Sequence, residues 1–373
     1  MQKKLIVLAI AGLAAGSAFA DTPNVSVYGS VDYGVLNRGS SSGAVVNGPS
    51  QTAFNSGIQS GSRLGFKGTR DMGNGNTALF ELEYGISIDN NGARSNSTST
   101  NSANPFWNRH SYVGLTGDWG TAVGGRLEGA RYTFSNKYDP FAGGTVGNFA
   151  SLIGNQARAD NAVAYISPTI AGGFSVLAAY VNNLTGGEAA GNNGDARLWA
   201  IAPQWNSGPL SATFDYEDAT VHGTGGDIKI VVLGASYDLT VVKLFGYGEH
   251  VKASGALAGI NLDQKAYLIG ATAPIGSALK LKFSYGDVKD GFTSNNDCKK
   301  ASVGADYALD KSTNLYADFA KISNQSAAKC TITTSSANYS GAHAAFAGVD
   351  TTLAGNTTGY GTRGIDVGVN YKF

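Results

Sequence analysis

The sequence predicts an all-β protein, a 16-stranded antiparallel transmembrane β-barrel with short periplasmic turns and long extracellular loops. Three observations predict it: apolar and polar residues alternate from end to end, the connectors alternate between short and long, and an export leader is followed by no apolar helical span.

The alternation starts at once. Val25, Val27, Val31, Tyr33 and Val35 share one parity against Ser26, Tyr28, Ser30 and Asp32; Ala78, Phe80, Leu82, Tyr84, Ile86 and Ile88 do so against Glu81, Glu83 and Ser87. Leu210, Ala212, Phe214 and Tyr216 oppose Ser211, Thr213, Asp215 and Glu217, and Leu279, Leu281, Phe283 and Tyr285 oppose Lys280, Lys282 and Ser284. The chain closes on Ile365, Val367, Val369, Tyr371 and Phe373 against Asp366, Gly368, Asn370 and Lys372. A period of two places one parity on each face of a sheet. Counted from Val25 to Phe373 there are about sixteen such segments of roughly ten residues, the length a tilted strand needs to cross a bilayer. An even number returns both termini to one rim, so the first strand can pair with the last and leave no open edge in lipid.

Short connectors include Asp71 to Asn76, Gly117 to Gly120, Thr169 to Gly173, Asn206 to Pro209, Ile275 to Ser277 and Asp310 to Thr313. Long ones, rich in Gly, Ser, Thr and Asn, include Gly39 to Gly61, Asn90 to Pro105, Ser135 to Ala159, Leu184 to Gly194 and Ser326 to Thr362. A soluble sandwich also alternates, but its loop lengths have no reason to sort by rim.

Residues 1–20 read as a cleaved signal peptide: Lys3 and Lys4, an apolar stretch from Leu5 to Ala15, and a small-residue site at Ala18-Phe19-Ala20. Residues 21–373 then form one barrel domain. Without the leader lysines the chain carries a charge of −2, which offers nucleic acid nothing to bind. Only 14% of residues are charged, and 52 Gly against 8 Pro suits many strands joined by turns. Cys298 and Cys330 can form one disulfide in an oxidising compartment, with Cys298 at the outer end of one strand and Cys330 just beyond the outer end of its partner if Asp310 to Thr313 is the turn between them, or remain two free thiols.

Several stretches resemble the general-diffusion porins of beta-proteobacteria, of the Neisseria, Burkholderia and Comamonas types. They are Val25-Ser26-Val27-Tyr28-Gly29, Gly61-Ser62-Arg63-Leu64-Gly65-Phe66-Lys67-Gly68, Asn108-Arg109-His110-Ser111-Tyr112-Val113-Gly114-Leu115, Gly124-Gly125-Arg126, Arg158-Ala159-Asp160-Asn161-Ala162-Val163-Ala164-Tyr165 and Tyr371-Lys372-Phe373. The likeness is specific in the first half and rests on strand pattern in the second. It implies an outer-membrane channel for passive diffusion of ions and small hydrophilic solutes, set among lipid and lipopolysaccharide. It also implies a homotrimer, with a third loop (Ser135 to Ala159) folded inward, Asn90 to Pro105 reaching over a neighbour, and a terminal Phe373, preceded by Tyr371, acting as an assembly signal.

Such a channel needs charges that set a field across a narrow opening. Arg63 and Lys67 oppose the parity of Leu64 and Phe66, and Arg126 opposes Val123 and Leu127, so all three are expected to line the lumen. The resemblance adds Arg109 and Arg158 to a basic wall, with Arg109 serving either the pore or a subunit contact. Asp139 and Asp160 are expected to face that wall. Glu81, Glu83, Lys280 and Lys282 read as solvated wall positions. No cofactor, metal or catalytic residue is expected: His110, His222, His250 and His343 are scattered and no HExxH or GxSxG spacing occurs. A barrel serving mainly as an adhesin or surface-binding anchor, or a substrate-selective porin, remains the alternative.

Overall fold

The computed structural model describes residues 24–40, 50–89, 107–153, 157–184, 196–221, 225–255, 262–291, 294–334 and 361–373. The expected leader, residues 1–20, and the segment expected to reach a neighbour, Asn90 to Pro105, lie outside the described residues, as do His222 and His343. The strands are β1 (Asn24–Gly39), β2 (Gln51–Ser56), β3 (Arg63–Gly73), β4 (Asn76–Gly85), β5 (Ser111–Gly117), β6 (Gly120–Glu128), β7 (Arg158–Ile166), β8 (Phe174–Val181), β9 (Ala196–Ser207) and β10 (Leu210–Val221). They continue as β11 (Gly226–Asp238), β12 (Lys243–Gly255), β13 (Asp263–Ile275), β14 (Leu279–Asp290), β15 (Cys298–Ala308), β16 (Thr313–Asn324) and β17 (Arg363–Lys372). Two helices, α1 (Ala130–Lys137) and α2 (Ala150–Ile153), lie between β6 and β7.

Each strand pairs antiparallel with the next, and β1 closes on β17 with Val31 opposite Tyr371 and Gly39 opposite Arg363. The strands number seventeen among the described residues, but the barrel has sixteen staves. The stretch expected as one loop from Gly39 to Gly61 contains β2, which pairs with the upper part of β1 while β3 pairs with the lower part. Together β2 and β3 make one interrupted stave. The interruption has a physical cause in Asp32, fully buried on β1, whose carboxylate accepts the amides of Ile58 (2.6 Å), Gln59 (3.2 Å) and Ser60 (3.3 Å). It holds residues 57–62 off the sheet.

The six short connectors named from the sequence join strands as expected, and a seventh, residues 239–242 between β11 and β12, adds to them. Between β3 and β4, Asn74 and Gly75 both have positive φ (51° and 75°), the geometry of a two-residue hairpin turn that asparagine and glycine accept. The outward rows carry a broad apolar band that includes Val27, Val113, Val163, Leu233, Ile269, Val303 and Val367, all exposed. No soluble protein tolerates so large an apolar surface, whereas hydrocarbon favours it. Among the described residues no helix is long and apolar enough to cross a membrane.

The third loop begins at Gly129, six residues before the expected Ser135, and runs across the barrel interior. Tyr138 sits on Gly234 of β11, where a Cβ would come 2.1 Å from its ring, and Phe149 sits on Gly286 of β14, where a Cβ would come 2.6 Å from its ring. Only glycine allows so close an approach at these wall positions. Farther along, the Val146 amide donates to Asp366 of β17 (2.6 Å), the Thr145 amide to the Ile58 carbonyl (2.8 Å), and Lys300 of β15 to Asn148 O and Ser151 Oγ (2.5 and 2.7 Å). Residues 328–334 fold back beside it, with Cys330 joined to Cys298 (Cα atoms 6.4 Å apart) and Asn148 Nδ2 donating to the Thr333 carbonyl (2.8 Å).

Candidate functional site in the lumen

Facing residues in an antiparallel ladder share a face, so the register decides which side chains enter the lumen. Ser30 pairs with Arg63, Ser26 with Lys67, and Lys67 with Glu81; this row points inward, as expected for Arg63 and Lys67. Arg126 does not. It pairs with Ser111, which pairs with Leu82, and that row is the outward one of Val113 and Phe80. The parity argument fails here because the apolar neighbours used as its reference, Val123 and Leu127, themselves point inward and are buried. Asp160 goes with Arg126: its carboxylate accepts from the Arg126 guanidinium beside a register shift between Gly125 and Leu127. Neither faces the pore.

Asp139 is also placed differently from the expectation. Its carboxylate accepts the amides of Phe141 (3.0 Å) and Phe149 (2.8 Å), and it is buried within its own loop. Burial pushes its carboxyl above the ordinary range, opposed by those amides and by the nearby Lys300 charge. It folds the loop and does not confront the basic wall.

Arg109 and Arg158 are buried beside Arg63, in a cluster that sequence reasoning read as a bare basic wall. Arg63 Nε is 3.2 Å from Glu83, the Arg109 Nε donates to the same carboxylate, and Arg158 Nη2 is 3.4 Å from Glu128. His110 stands between Glu81 and Glu128, at 3.2 and 2.9 Å, the second an ion-pair contact without hydrogen-bond alignment. Tyr28 and Tyr112 donate to Glu81 at 2.6 and 2.7 Å. Three guanidinium groups thus meet two carboxylates, Glu83 and Glu128, while the third, Glu81, is held by His110 and two tyrosines. Glu81, Glu83 and His110 are close enough to share a cation, but the guanidinium groups already occupy that carboxylate face. Glu81 and Glu83 are buried members of this network and not solvated wall positions. Lys282 is likewise buried between Asp306 (2.7 Å) and Asp318 (2.9 Å).

The inward charges that meet water are mostly lysines in the short-turn half of the barrel. Lys67 lies over the Tyr28 ring, Lys280 is 49% exposed beside Asp306, and Lys243 and Lys372 share inward rows with Lys282 and Ser30. From the third loop Lys137 reaches Asn206 (3.2 Å) and Thr213 (3.4 Å); burial and the Lys243 charge push its pKa down to about 8. Sequence reasoning missed Lys137, Lys243 and Lys372. Parity could have found two of them, since Leu244 and Tyr371 beside them face outward. At the chain end, Phe373 and Gly29 exchange backbone bonds (3.0 and 3.2 Å), sealing the barrel beside the stacked Tyr371 and Phe373 rings.

A closed sheet with a greasy exterior and a charged, partly obstructed interior defines a transmembrane channel. Its sequence matches the family described as Gram-negative porin over residues 6–327, and the chain belongs to that family. It is 30% identical to Outer membrane porin protein 32 of Delftia acidovorans, over 88% of this chain and 91% of that one, and 26% identical to the major outer membrane protein P.IB of Neisseria gonorrhoeae, over 84% and 91%. Its fold is similar to that of the anion-selective porin from Comamonas acidovorans, with a TM-score of 0.75 and 26% identity, covering 94% of this chain and all of the other. The protein is a channel of the cell outer membrane for passive diffusion of solutes, not an enzyme.

Proposed function

We propose that this channel favours anions. The carrying observation is an asymmetry of exposure. Lumen carboxylates such as Asp32, Glu81, Glu83, Asp318 and Asp366 are buried, whereas Arg63, Lys67, Lys137, Lys243, Lys280 and Lys372 are not. A mobile ion in the water of the pore feels the accessible charges most, because buried pairs cancel at close range and the low-dielectric wall focuses what remains. Similarity to a porin described as anion-selective supports the same sign. Arg109 and Arg158 act at second hand, by holding Arg63 and its carboxylates in place.

Residues 1–20 serve as a cleaved leader in this reading, and Tyr371 and Phe373 carry the assembly signal. The working unit is a homotrimer in lipid and lipopolysaccharide. The Arg126–Asp160 pair on the outward face supports a subunit contact there, since lipid is a costly neighbour for charge. The test is the reversal potential of reconstituted protein across a potassium chloride gradient. A sign showing chloride ahead of potassium is expected; a potassium preference overturns the proposal.

A further inference from the structure

The inner wall from β7 to β9 is apolar in a lumen whose other sectors carry charge. Ala164, Ala179 and Ala200 are direct partners across these three strands, so they form one inward row of methyl groups. Leu177 and Leu198, on flanking inward rows, rise on either side of it, and α1 crosses in front with Ala130 and Thr133 toward the wall. Between helix and wall lies a partly open cavity of about 100 Å³. Leucines in the alanine row would fill it.

Apart from Tyr112 and the Thr133 hydroxyl, which donates to the Gly129 carbonyl (3.0 Å), its polar lining is charged. Glu217, the next partner after Ala200, accepts the Arg131 amide (2.7 Å) at one end. At the other are Arg158, Glu128 and His110. An apolar hollow gives water too few partners, while cavities of this order accept a benzene ring. A cationic group beside such a hollow selects an anionic substituent on the ring.

We propose that this cavity is a binding subsite for monocarboxylates with a compact apolar body of phenyl size. The ring rests on Ala164, Ala179 and Ala200, and the carboxylate turns toward Arg158 and His110. The inference deepens the anion-channel reading and rests on it, since the solute reaches the cavity from the lumen.

Single-channel currents in potassium chloride, titrated with phenylacetate and separately with acetate, test it. Phenylacetate should block the wild-type current at a concentration about tenfold or more below that of acetate, because only its ring buries apolar surface. Ala179→Leu and Ala200→Leu, each normalised to its own open current, should raise the half-blocking phenylacetate concentration about tenfold by filling the hollow, with acetate block unmoved. Wild-type crystals soaked in 4-iodophenylacetate give a reading independent of any variant, with iodine expected between α1 and β7–β9. Equal block by both acids, wild-type block in both leucine variants, or iodine elsewhere in the lumen overturns the subsite. Absence of open steps in plain potassium chloride would instead sink the channel reading beneath it.

Discussion

Replacing Asp139 with alanine should release the third loop without opening the barrel. The carboxylate accepts the Phe141 amide at 3.0 Å and the Phe149 amide at 2.8 Å, closing the turn between α1 and α2. A hydrogen bond to a charged group contributes about 1.5–3 kcal/mol, so two contribute about 3–6 kcal/mol, less the cost of burying the carboxylate. A net loss of about 3 kcal/mol multiplies the ratio of released to seated loop by roughly 150. The backbone ladders that close the barrel do not involve this residue. Asp139→Ala should therefore stay folded and migrate as a barrel in unheated gels, while single-channel traces show conductance excursions about two orders of magnitude more frequent than wild type. Asp139→Asn, which keeps one acceptor oxygen but presents an amide donor to one of the two N–H groups, should fall between. Wild-type current noise in Asp139→Ala, with the loop equally protected from protease, would refute the view that this carboxylate seats the loop.

Four further outcomes follow from the same geometry. Lys67→Glu with Lys280→Glu exchanges two water-exposed positive charges for negative ones, and the reversal potential should move toward potassium by several-fold in permeability ratio. Lys137 is cationic below about pH 8 and neutral above it, so chloride preference should weaken between pH 7 and 9.5, and Lys137→Met should remove that component. Arg109→Gln leaves Glu83 without its closest guanidinium, which should cost about 3–5 kcal/mol in a detergent unfolding titration, with partial recovery in the double variant carrying Glu83→Gln. Cys298→Ser should shift gel mobility only under non-reducing conditions, lower stability by about 3–4 kcal/mol through a loosened unfolded chain, and raise conductance as residues 328–334 leave the third loop.

Much of this protein is legible along the chain because lipid outside and water inside repeat one demand at every strand. The alternation around Val25, Phe80, Leu281 and Val367 places the membrane face, and pairs such as Asn74-Gly75 place the turns. The same rule misleads from β6 to β9. There the wall is largely apolar on both faces, outward for lipid and inward because the third loop buries itself against it, so Val123 and Leu127 point the wrong way for a one-strand argument and carry Arg126 with them.

The candidate site was legible only in part for a related reason. Arg63 and Lys67 follow from their own strand. That Arg109 and Arg158 meet Glu83 and Glu128, that Asp139 turns back onto Phe141 and Phe149, and that Asp32 unhooks residues 57–62 all depend on groups far apart in the chain or on backbone amides, which no side-chain pattern announces.

By itself the amino-acid order determined a closed sheet of sixteen staves, its membrane face and its rims, since those depend on local period and connector length. Only the tertiary structure decided which lumen charges meet water and which cancel. That outcome belongs to cross-strand register and to one loop laid across the interior, where electrostatics falls off within a few ångströms and a one-residue bulge changes the face a charge occupies.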